Sequence, residues 1–268
     1  MELQIITPTN TSAGKQKMPA QFEEEIREDL IKRAVEAVTA NKRQRYGADP
    51  RAGKKSAAKL SRRRRDYKAS YGHGISRVPR KTMSRNGAHF NWVGAYAPGT
   101  VGGRRAFPPK PNKDWSQKIN DKERKKAIRS AMSATLNKEL VLSRGHLAPK
   151  QYPFIISKEF ETIDKTSKLL EILHTQGFTQ ELARAEVKKV RAGKGKMRGR
   201  KYDKRKSMLI VTADNCPLLK AARNIPGVDA TIVKNINAKQ LAPGTKAGRL
   251  TLFTEKAIEQ MTKEKLYL

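Results

Sequence analysis

The chain has 268 residues, enough for one large domain or two small ones. Its 58 Lys and Arg against 25 Asp and Glu give a formal net charge of +33, which favours a polyanionic partner, nucleic acid first and an anionic membrane surface second. No apolar run approaches the roughly 20 residues of a membrane-spanning helix, and the first ten residues do not predict a signal peptide. The single cysteine, Cys216, excludes an internal disulfide, and this favours a reducing, intracellular compartment.

The first two predicted elements are a short strand and an amphipathic helix. The apolar stretch LQIIT, residues 3–7, is typical of a strand. Residues 22–44 have acids early and bases late, as a helix dipole favours, and they repeat apolar residues at four-residue steps. These apolar positions are Phe22, Ile26, Leu30, Ala34 and Val38.

Residues 41–110 differ from the rest of the chain in composition. They hold nineteen Lys or Arg against two acids, with nine glycines, five prolines and only six Leu, Ile, Val or Met residues. Such a segment cannot offset its ordering entropy by burial, so we expect it to lack secondary structure and to be disordered when no partner is bound. Seven of the sixteen aromatics also lie here, and arginine interleaved with aromatics suits RNA, whose phosphates bind guanidinium groups and whose unpaired bases stack on rings. The alternative is a solvated linker.

A second helix is predicted directly after the basic segment. Residues 119–140 place Asn120 three residues before Glu123, as in a capping box, and continue with an apolar stripe. The basic segment is therefore an insertion between two helices that we expect to pack in one core. The stripe consists of Ile128, Met132, Leu136 and Leu140.

The remainder of the chain alternates strands and helices. Strands are predicted at residues 152–157, 207–213, 228–236 and 249–253, and helices at 162–178, 179–193, 214–227 and 254–264. Caps are expected at Thr179 and at Asp214 or Asn215, and Gly193 is expected to end its helix. The pattern predicts an α/β fold: one globular domain, residues 1–40 and 111–268, whose mostly parallel sheet is flanked by helices, plus a long basic extended loop, residues 41–110.

A second basic loop, residues 191–206, is predicted to bind phosphates, and the alternative is a solvated surface loop. No motif for catalysis accompanies these basic segments. The glycines and lysines of this loop do not form a phosphate-binding G-x-x-x-x-G-K-[ST] motif, and no glycine-rich turn follows a predicted strand. The four histidines have no metal-ligand spacing, and a G-x-S-x-G motif is absent. We therefore expect no enzymatic activity, no cofactor and no bound metal.

The order of motifs resembles the family of large-subunit ribosomal protein four, in its archaeal and eukaryotic branch. The resemblance covers nearly the whole chain and includes SYGHGISRVPR, NDKERKKAIRSAMSAT and RNIPGVDATIVKNINAKQLAPG. It implies a structural constituent of the large ribosomal subunit, located in the cytoplasm, whose globular body packs on ribosomal RNA (rRNA). It also implies that the insertion threads through rRNA and that its tip, near residues 71–85, lines the nascent-peptide exit tunnel. The implied partners are large-subunit rRNA, neighbouring ribosomal proteins and the nascent polypeptide, with no membrane.

The site residues follow from combining this resemblance with the charge pattern. The residues expected to line the tunnel are Tyr71, Gly72, His73, Gly74, Ile75 and Arg77. The residues expected to bind rRNA are Arg43, Arg45, Arg51, Lys54, Lys55, Arg62, Arg63, Arg64, Arg65, Tyr67, Lys68, Arg77, Arg80, Lys81, Arg85, Trp92, Arg104, Arg105, Lys194, Lys196, Arg198, Arg200 and Lys201.

Two other functions fit parts of the pattern. A stand-alone RNA chaperone or ribosome assembly factor would use the same basic segments without becoming a stoichiometric ribosomal component. An RNA-modifying enzyme, such as a methyltransferase with a basic insertion, would need a glycine-rich turn after the first strand. The sequence LQIITPTNTSAGK offers only Gly14 there, which is late and isolated.

Overall fold

The computed structural model describes residues 1–268 and divides the chain into two compact units. One unit, called the body here, comprises Met1–Lys42 and Ser116–Leu268, and the other, called the insertion, comprises Arg43–Trp115. The structural boundaries lie a few residues beyond positions 40 and 110, where the composition changes.

The secondary structure consists of strands β1–β11 and helices α1–α8 in chain order. The strands are β1 (Glu2–Ile6), β2 (Ser12–Lys17), β3 (Ala58–Lys59), β4 (Arg80–Asn86), β5 (His89–Gly94), β6 (Ile155–Ile156), β7 (Lys188–Val190), β8 (Tyr202–Lys204), β9 (Leu209–Thr212), β10 (Asp229–Ile232) and β11 (Thr251–Thr254). The helices are α1 (Glu28–Asn41), α2 (Asp121–Leu136), α3 (Lys138–Ser143), α4 (Thr166–Thr175), α5 (Thr179–Glu186), α6 (Pro217–Arg223), α7 (Ala238–Leu241) and α8 (Glu255–Lys263). Short 3-10 helices lie at Ala20–Phe22, Lys158–Thr162, Gly193–Arg198 and Val233–Asn235.

The body contains a six-stranded sheet in the order β10-β9-β11-β6-β1-β2. The first five strands pair in parallel, and only β2 pairs antiparallel, at the edge. Helices cover both faces, as a parallel sheet requires to bury its two apolar sides. The expected α/β fold with a mostly parallel sheet is confirmed.

Strand β9 shows how one short sequence contributes to both faces. All four of its residues are buried. Leu209 and Val211 belong to the core formed with α1, α2, α7 and α8, whereas Ile210 belongs to the opposite core with α4, α5 and α6. Side chains alternate between faces along a strand, so a continuous apolar run is what a central strand with two covered faces needs.

Helices α1 and α2 pack in the same core, as expected from their apolar stripes. Ile31 and Ala34 of α1 and Ile128 and Met132 of α2 are almost fully buried there. The backbone N–H of Gln117 donates to the Asn41 side-chain oxygen at 2.9 Å. The body residues from which the insertion leaves and to which it returns are therefore fixed next to each other.

The predicted start of the first helix is wrong. Phe22 lies in a 3-10 helix, and α1 begins only at Glu28. The reason is a tertiary contact: Arg27 has an extended backbone, and its N–H donates to the Ser130 hydroxyl at 2.6 Å rather than to a preceding turn. The helix still buries one face, through Ala34 and its neighbours.

Two predicted helix caps and one helix end are also wrong, and a third cap has the predicted position without the predicted bond. Asn120 is the N-cap residue of α2, as predicted, but its side chain makes no capping bond, and the Glu123 carboxylate pairs with Arg33 at 3.1 Å. Helix α5 is capped at Phe178 and α6 at Cys216, so that Thr179 already lies inside its helix. Helix α5 ends at Glu186, not at residue 193, because the next residues pair with β8 as strand β7.

The insertion has secondary structure, which corrects the expectation that it has none. Strands β3, β4 and β5 form a three-stranded antiparallel sheet, and Gly87, with φ +56°, lies in the β4–β5 turn. Neither hydrophobic core contains a residue of the insertion, in which only Ser61, Ala69, Ser70 and Ala95 are buried. A small exposed sheet without a core is marginally stable in water.

Candidate nucleic-acid interface

The insertion presents a dense cationic surface. It contains nineteen Lys or Arg and three Asp, so acids can neutralise only a minority of its cations. None of the residues predicted to bind rRNA is buried, and among them only Lys68, Arg80, Lys81 and Trp92 are half-buried. Exposed cations without acidic neighbours repel each other, and this repulsion favours binding of a polyanion.

The acids of the insertion are engaged locally. Lys55 binds Asp49 at 3.2 Å, and Arg45 binds Asp114 at 3.4 Å. The pKa of Asp49 is lowered, first by the backbone N–H of Arg51 and then by the Lys55 ammonium. Asp49 therefore stays ionised at neutral pH.

The two arms of the insertion lie side by side. The Ala48 N–H donates to the Pro109 carbonyl at 3.1 Å. At Gly47 the arms approach so closely that a Cβ atom would lie 2.5 Å from Cδ of Pro111. Glycine is needed here because any side chain would force the arms apart.

An aromatic pair joins the two ends of the insertion. The rings of Tyr46 and Trp115 stack with centroids 5.8 Å apart and an interplanar angle of 7°. The Arg43 guanidinium lies 3.5 Å from the Trp115 centroid, and the Lys113 ammonium lies 4.4 Å from it. Cations over ring faces are favourable contacts, so this end is held together without a hydrophobic core.

A second aromatic cluster lies on the small sheet. Tyr67 meets Phe90 edge to face at 5.2 Å, and Phe90 stacks on Trp92 at 5.3 Å. Arg85 donates to the Tyr67 hydroxyl, and Arg80 lies 5.6 Å from the Trp92 centroid. The structure thus brings together predicted RNA-binding residues that lie far apart in sequence.

The residues predicted to line the tunnel form a tight turn. Gly72 and Gly74 have φ of +78° and +65°, a conformation that glycine adopts without steric cost. The Tyr71 ring lies within 6 Å of two guanidinium groups, those of Arg64 at 5.6 Å and Arg77 at 5.7 Å. The turn is therefore exposed, cationic and aromatic.

This turn adjoins the aromatic cluster. His73 and Ile75 line a cleft of about 420 Å³ together with Tyr67, Phe90 and Trp92. The structure thereby gathers two of the predicted tunnel residues and three of the predicted RNA-binding residues, Tyr67, Lys68 and Trp92, around one cavity. Phe90 was not among the predicted site residues, although its alternation with Trp92 was visible in the sequence.

These clusters can exchange partners on RNA. In the free protein the guanidinium groups lie on the protein's own rings, where they occupy stacking surfaces. Phosphates bind guanidinium more strongly than rings do, through charge-assisted hydrogen bonds. RNA would therefore draw the cations to phosphates and leave the rings available for bases.

The body carries a second basic surface. The predicted residues Lys194, Lys196 and Arg198 lie in a 3-10 helix, and Arg200 and Lys201 precede β8, within a hairpin closed by β7 and β8. All five side chains are exposed. A separate basic cleft of about 370 Å³, which the sequence did not reveal, is lined by Lys42, Lys206, Arg223, Lys239 and Arg249 around Asp229.

A buried polar network lies in the body and stabilises it. The fully buried Glu181 carboxylate accepts from Arg184 at 2.6 Å, from the Leu147 N–H at 2.9 Å and from the Ser207 hydroxyl at 2.9 Å, and it lies 2.8 Å from Nδ1 of His146. Burial alone would raise the pKa of Glu181, but the donors from Arg184, His146 and Leu147 outweigh it and hold the pKa at about 2. Burial lowers the pKa of His146, so at neutral pH the network holds one carboxylate and a neutral imidazole.

No group of three or more His, Cys, Asp or Glu side chains has a geometry that could hold a metal ion. None of the helices has both the length and the apolar character needed to cross a membrane.

Besides Phe90, the predicted set of interface residues does not include Lys113, Trp115 and Phe107. Lys113 and Trp115 lie just beyond residue 110, where the basic composition ends. The structure places them in the insertion, where Trp115 contacts Arg43 and Tyr46 and Lys113 lies over the Trp115 ring. Phe107 lies within the basic segment but was counted only as one of its aromatics, and its ring is 90% exposed.

Comparison with known proteins identifies relatives along the whole chain. A family model described as the ribosomal protein L4/L1 family matches residues 16–264. The large ribosomal subunit protein uL4 of Nanoarchaeum equitans is 46% identical over 268 residues, which is 100% of both chains. The proteins of the same name from Archaeoglobus fulgidus and Methanothrix thermoacetophila are 43% and 44% identical, over 91% and 97% of this chain and 92% and 98% of their own.

Proposed function

We infer the function from a premise that the matches establish: this chain belongs to the ribosomal protein L4/L1 family. It is a structural constituent of the large ribosomal subunit, is not an enzyme, and associates with the ribosome and its rRNA in the cytoplasm. The relatives' names do not favour the alternative of a stand-alone RNA chaperone or assembly factor.

We propose that the insertion is the principal rRNA-binding element and that it threads through folded rRNA. The observation that carries this proposal is the contrast between its charge and its burial: nineteen cations against three acids, and four buried residues. Such a segment has almost no hydrophobic core of its own to stabilise it. Phosphates would neutralise the cations, and unpaired bases would stack on the rings.

The body is proposed to anchor this element. The insertion leaves and returns between α1 and α2, which pack in one core, so both of its ends are fixed. A terminal tail would be fixed at one end only and would lose more entropy on binding. The exposed cations of Lys194–Lys201 offer the body its own phosphate contacts.

The turn at Tyr71–Ile75 and the nearby Arg77 are proposed to line the nascent-peptide exit tunnel. The turn is exposed, and its two glycines permit a compact reversal of the chain. His73 between these glycines offers a polar ring to a passing peptide. The neighbouring ribosomal proteins are further proposed partners.

A cross-linking experiment tests the tunnel proposal. A photoreactive amino acid at position 73, introduced into translating ribosomes, is expected to cross-link to the nascent peptide when that peptide is long enough to reach the turn. The matched control carries the same group at Lys168, an exposed residue of α4 in the body, where no nascent-chain cross-link is expected. Cross-links from position 73 to rRNA alone, at every peptide length, would contradict the assignment.

A further inference from the structure

The insertion contains a cleft that has the composition of a nucleotide-binding pocket. Its volume is about 780 Å³, and no acidic residue lines it. Its walls combine three aromatic rings with prolines and an asparagine, and its cations are Arg105, Lys110 and Lys113. The aromatic residues are Tyr46, Phe107 and Trp115.

The Phe107 ring has no partner within the protein that would account for its position. It is 90% exposed, and no stacking or cation contact is found for it, unlike the rings of Tyr46 and Trp115. Pro108 and Pro109 follow it, and Pro109 accepts a hydrogen bond from Ala48 of the other arm. Proline restricts the backbone, so the ring is held in solvent at low entropic cost.

Trp115 lines the same cleft and carries an unsatisfied polar group. Its indole N–H is buried and has no hydrogen-bond partner. An unsatisfied buried donor costs free energy, and such groups are rare in folded proteins.

We propose that this cleft binds one unpaired nucleotide of rRNA, with the base stacked on Phe107 and its phosphates bound by Arg105, Lys110 and Lys113. The inference rests on the proposed rRNA-binding function and adds a defined pocket to it. Stacking on an aromatic ring is sequence-tolerant, and Asn112 at the cleft offers both a donor and an acceptor to a base edge. A paired base inside a duplex has no free face for the ring, so the pocket selects unpaired RNA.

Tryptophan fluorescence provides a direct readout, because the chain contains only Trp92 and Trp115. In the Trp92→Phe protein, Trp115 is the sole reporter. A single-stranded oligoadenylate of about eight nucleotides, within the usual range of single-strand site sizes, is expected to change its emission. An RNA duplex with the same number of phosphates is expected to bind without that change.

Substitution of Phe107 separates stacking from charge. Phe107→Leu is expected to weaken oligoadenylate binding roughly five- to 150-fold, the range for one lost base stack, while the salt dependence stays the same because no charge is removed. Phe107→Tyr retains a ring and is expected to restore the affinity.

The outcomes distinguish the pocket from the general function. Unchanged Trp115 emission, or equal effects of single strand and duplex, with rRNA binding intact would overturn the pocket but leave the proposed function standing. Failure of the full chain to bind rRNA at all would overturn both.

Discussion

Replacing Arg62, Arg63, Arg64 and Arg65 together with glutamine is expected to weaken rRNA binding on the order of a thousandfold at about 0.1 M salt. All four side chains are exposed, and none forms a salt bridge with an acid. Each cation that neutralises a phosphate releases a counterion. Four lost contacts therefore make the negative slope of log K against log salt less steep by about three. The measurement is a titration of rRNA fragments at several salt concentrations.

The control removes the same charge from another surface. Lys122, Lys158, Lys165 and Lys168 are exposed body lysines outside both basic loops, and their joint replacement by glutamine changes the net charge equally. We expect this variant to lose much less affinity, because its lysines lie outside the proposed binding element. Equal losses in the two variants would mean that only total charge matters, and the account of a dedicated binding element would fail.

Glu181→Ala is expected to cost the body about 3–5 kcal/mol of unfolding free energy, the range for breaking one side of a buried ion pair. The substitution leaves Arg184, the Leu147 N–H and the Ser207 hydroxyl without their buried acceptor. Typical domains have a total unfolding free energy of about 5–15 kcal/mol, so the substitution is expected to remove much of the stability of the body. Urea unfolding of the full chain, followed by the helical signal, measures the change.

The matched control lies on the same helix. Glu186, the last residue of α5, is exposed and forms no ion pair, so Glu186→Ala is expected to change stability by less than about 0.5 kcal/mol. A Glu181→Ala loss as small as that of the control would show that the network is not a stabilising element.

The same carboxylate makes the body sensitive to acid. Its pKa is about 2 in the folded protein against 4.5 for an ordinary Glu, so its contribution is fully present above pH 4.5 and is lost as pH falls towards 2. The contribution is on the order of 3 kcal/mol. The lowered pKa of His146 acts in the same direction, because protonation of the buried ring at acid pH opposes folding. Glu181→Gln should therefore flatten the acid limb of the stability curve.

Local sequence was sufficient to predict the central strands of the body. Strand β9 is a mostly apolar run, and β11 places Leu252 and Phe253 between two threonines; every residue of both strands is buried. Strand β2, with the sequence SAGKQK, could not be predicted, because an edge strand has one exposed side and its lysines hide the pattern. Helix α7 has four residues and depends on the reciprocal cap between Asn237 and Gln240.

The small sheet of the insertion had a signal that the composition obscured. Asn86-Gly87 is a hairpin turn sequence, and HFNWVG alternates half-buried and exposed residues. The density of arginine and glycine in the surrounding segment pointed to disorder and outweighed that local pattern. The predicted cations of the interface, in contrast, followed from the charge pattern together with the family resemblance.

The pairing of Tyr46 with Trp115 could not be predicted. The two residues lie at opposite ends of the insertion, and only the folded arms bring their rings to 5.8 Å. The pocket around Phe107 depends on the same contact, since residues from both arms line it. The charge of a segment can be predicted from its sequence, but the position of a cavity depends on contacts that only the folded chain makes.

The central claim is that rRNA provides the packing that the insertion lacks. Hydrogen exchange of the backbone amides tests this claim most directly. In the free chain, we expect amides of Arg43–Trp115 to exchange rapidly, since only a small exposed sheet holds them, while those of β9 and α2 are protected. In the assembled large subunit, the insertion should become as protected as the body. Protection of the insertion at the level of the body in the free chain, without any RNA, would contradict the account.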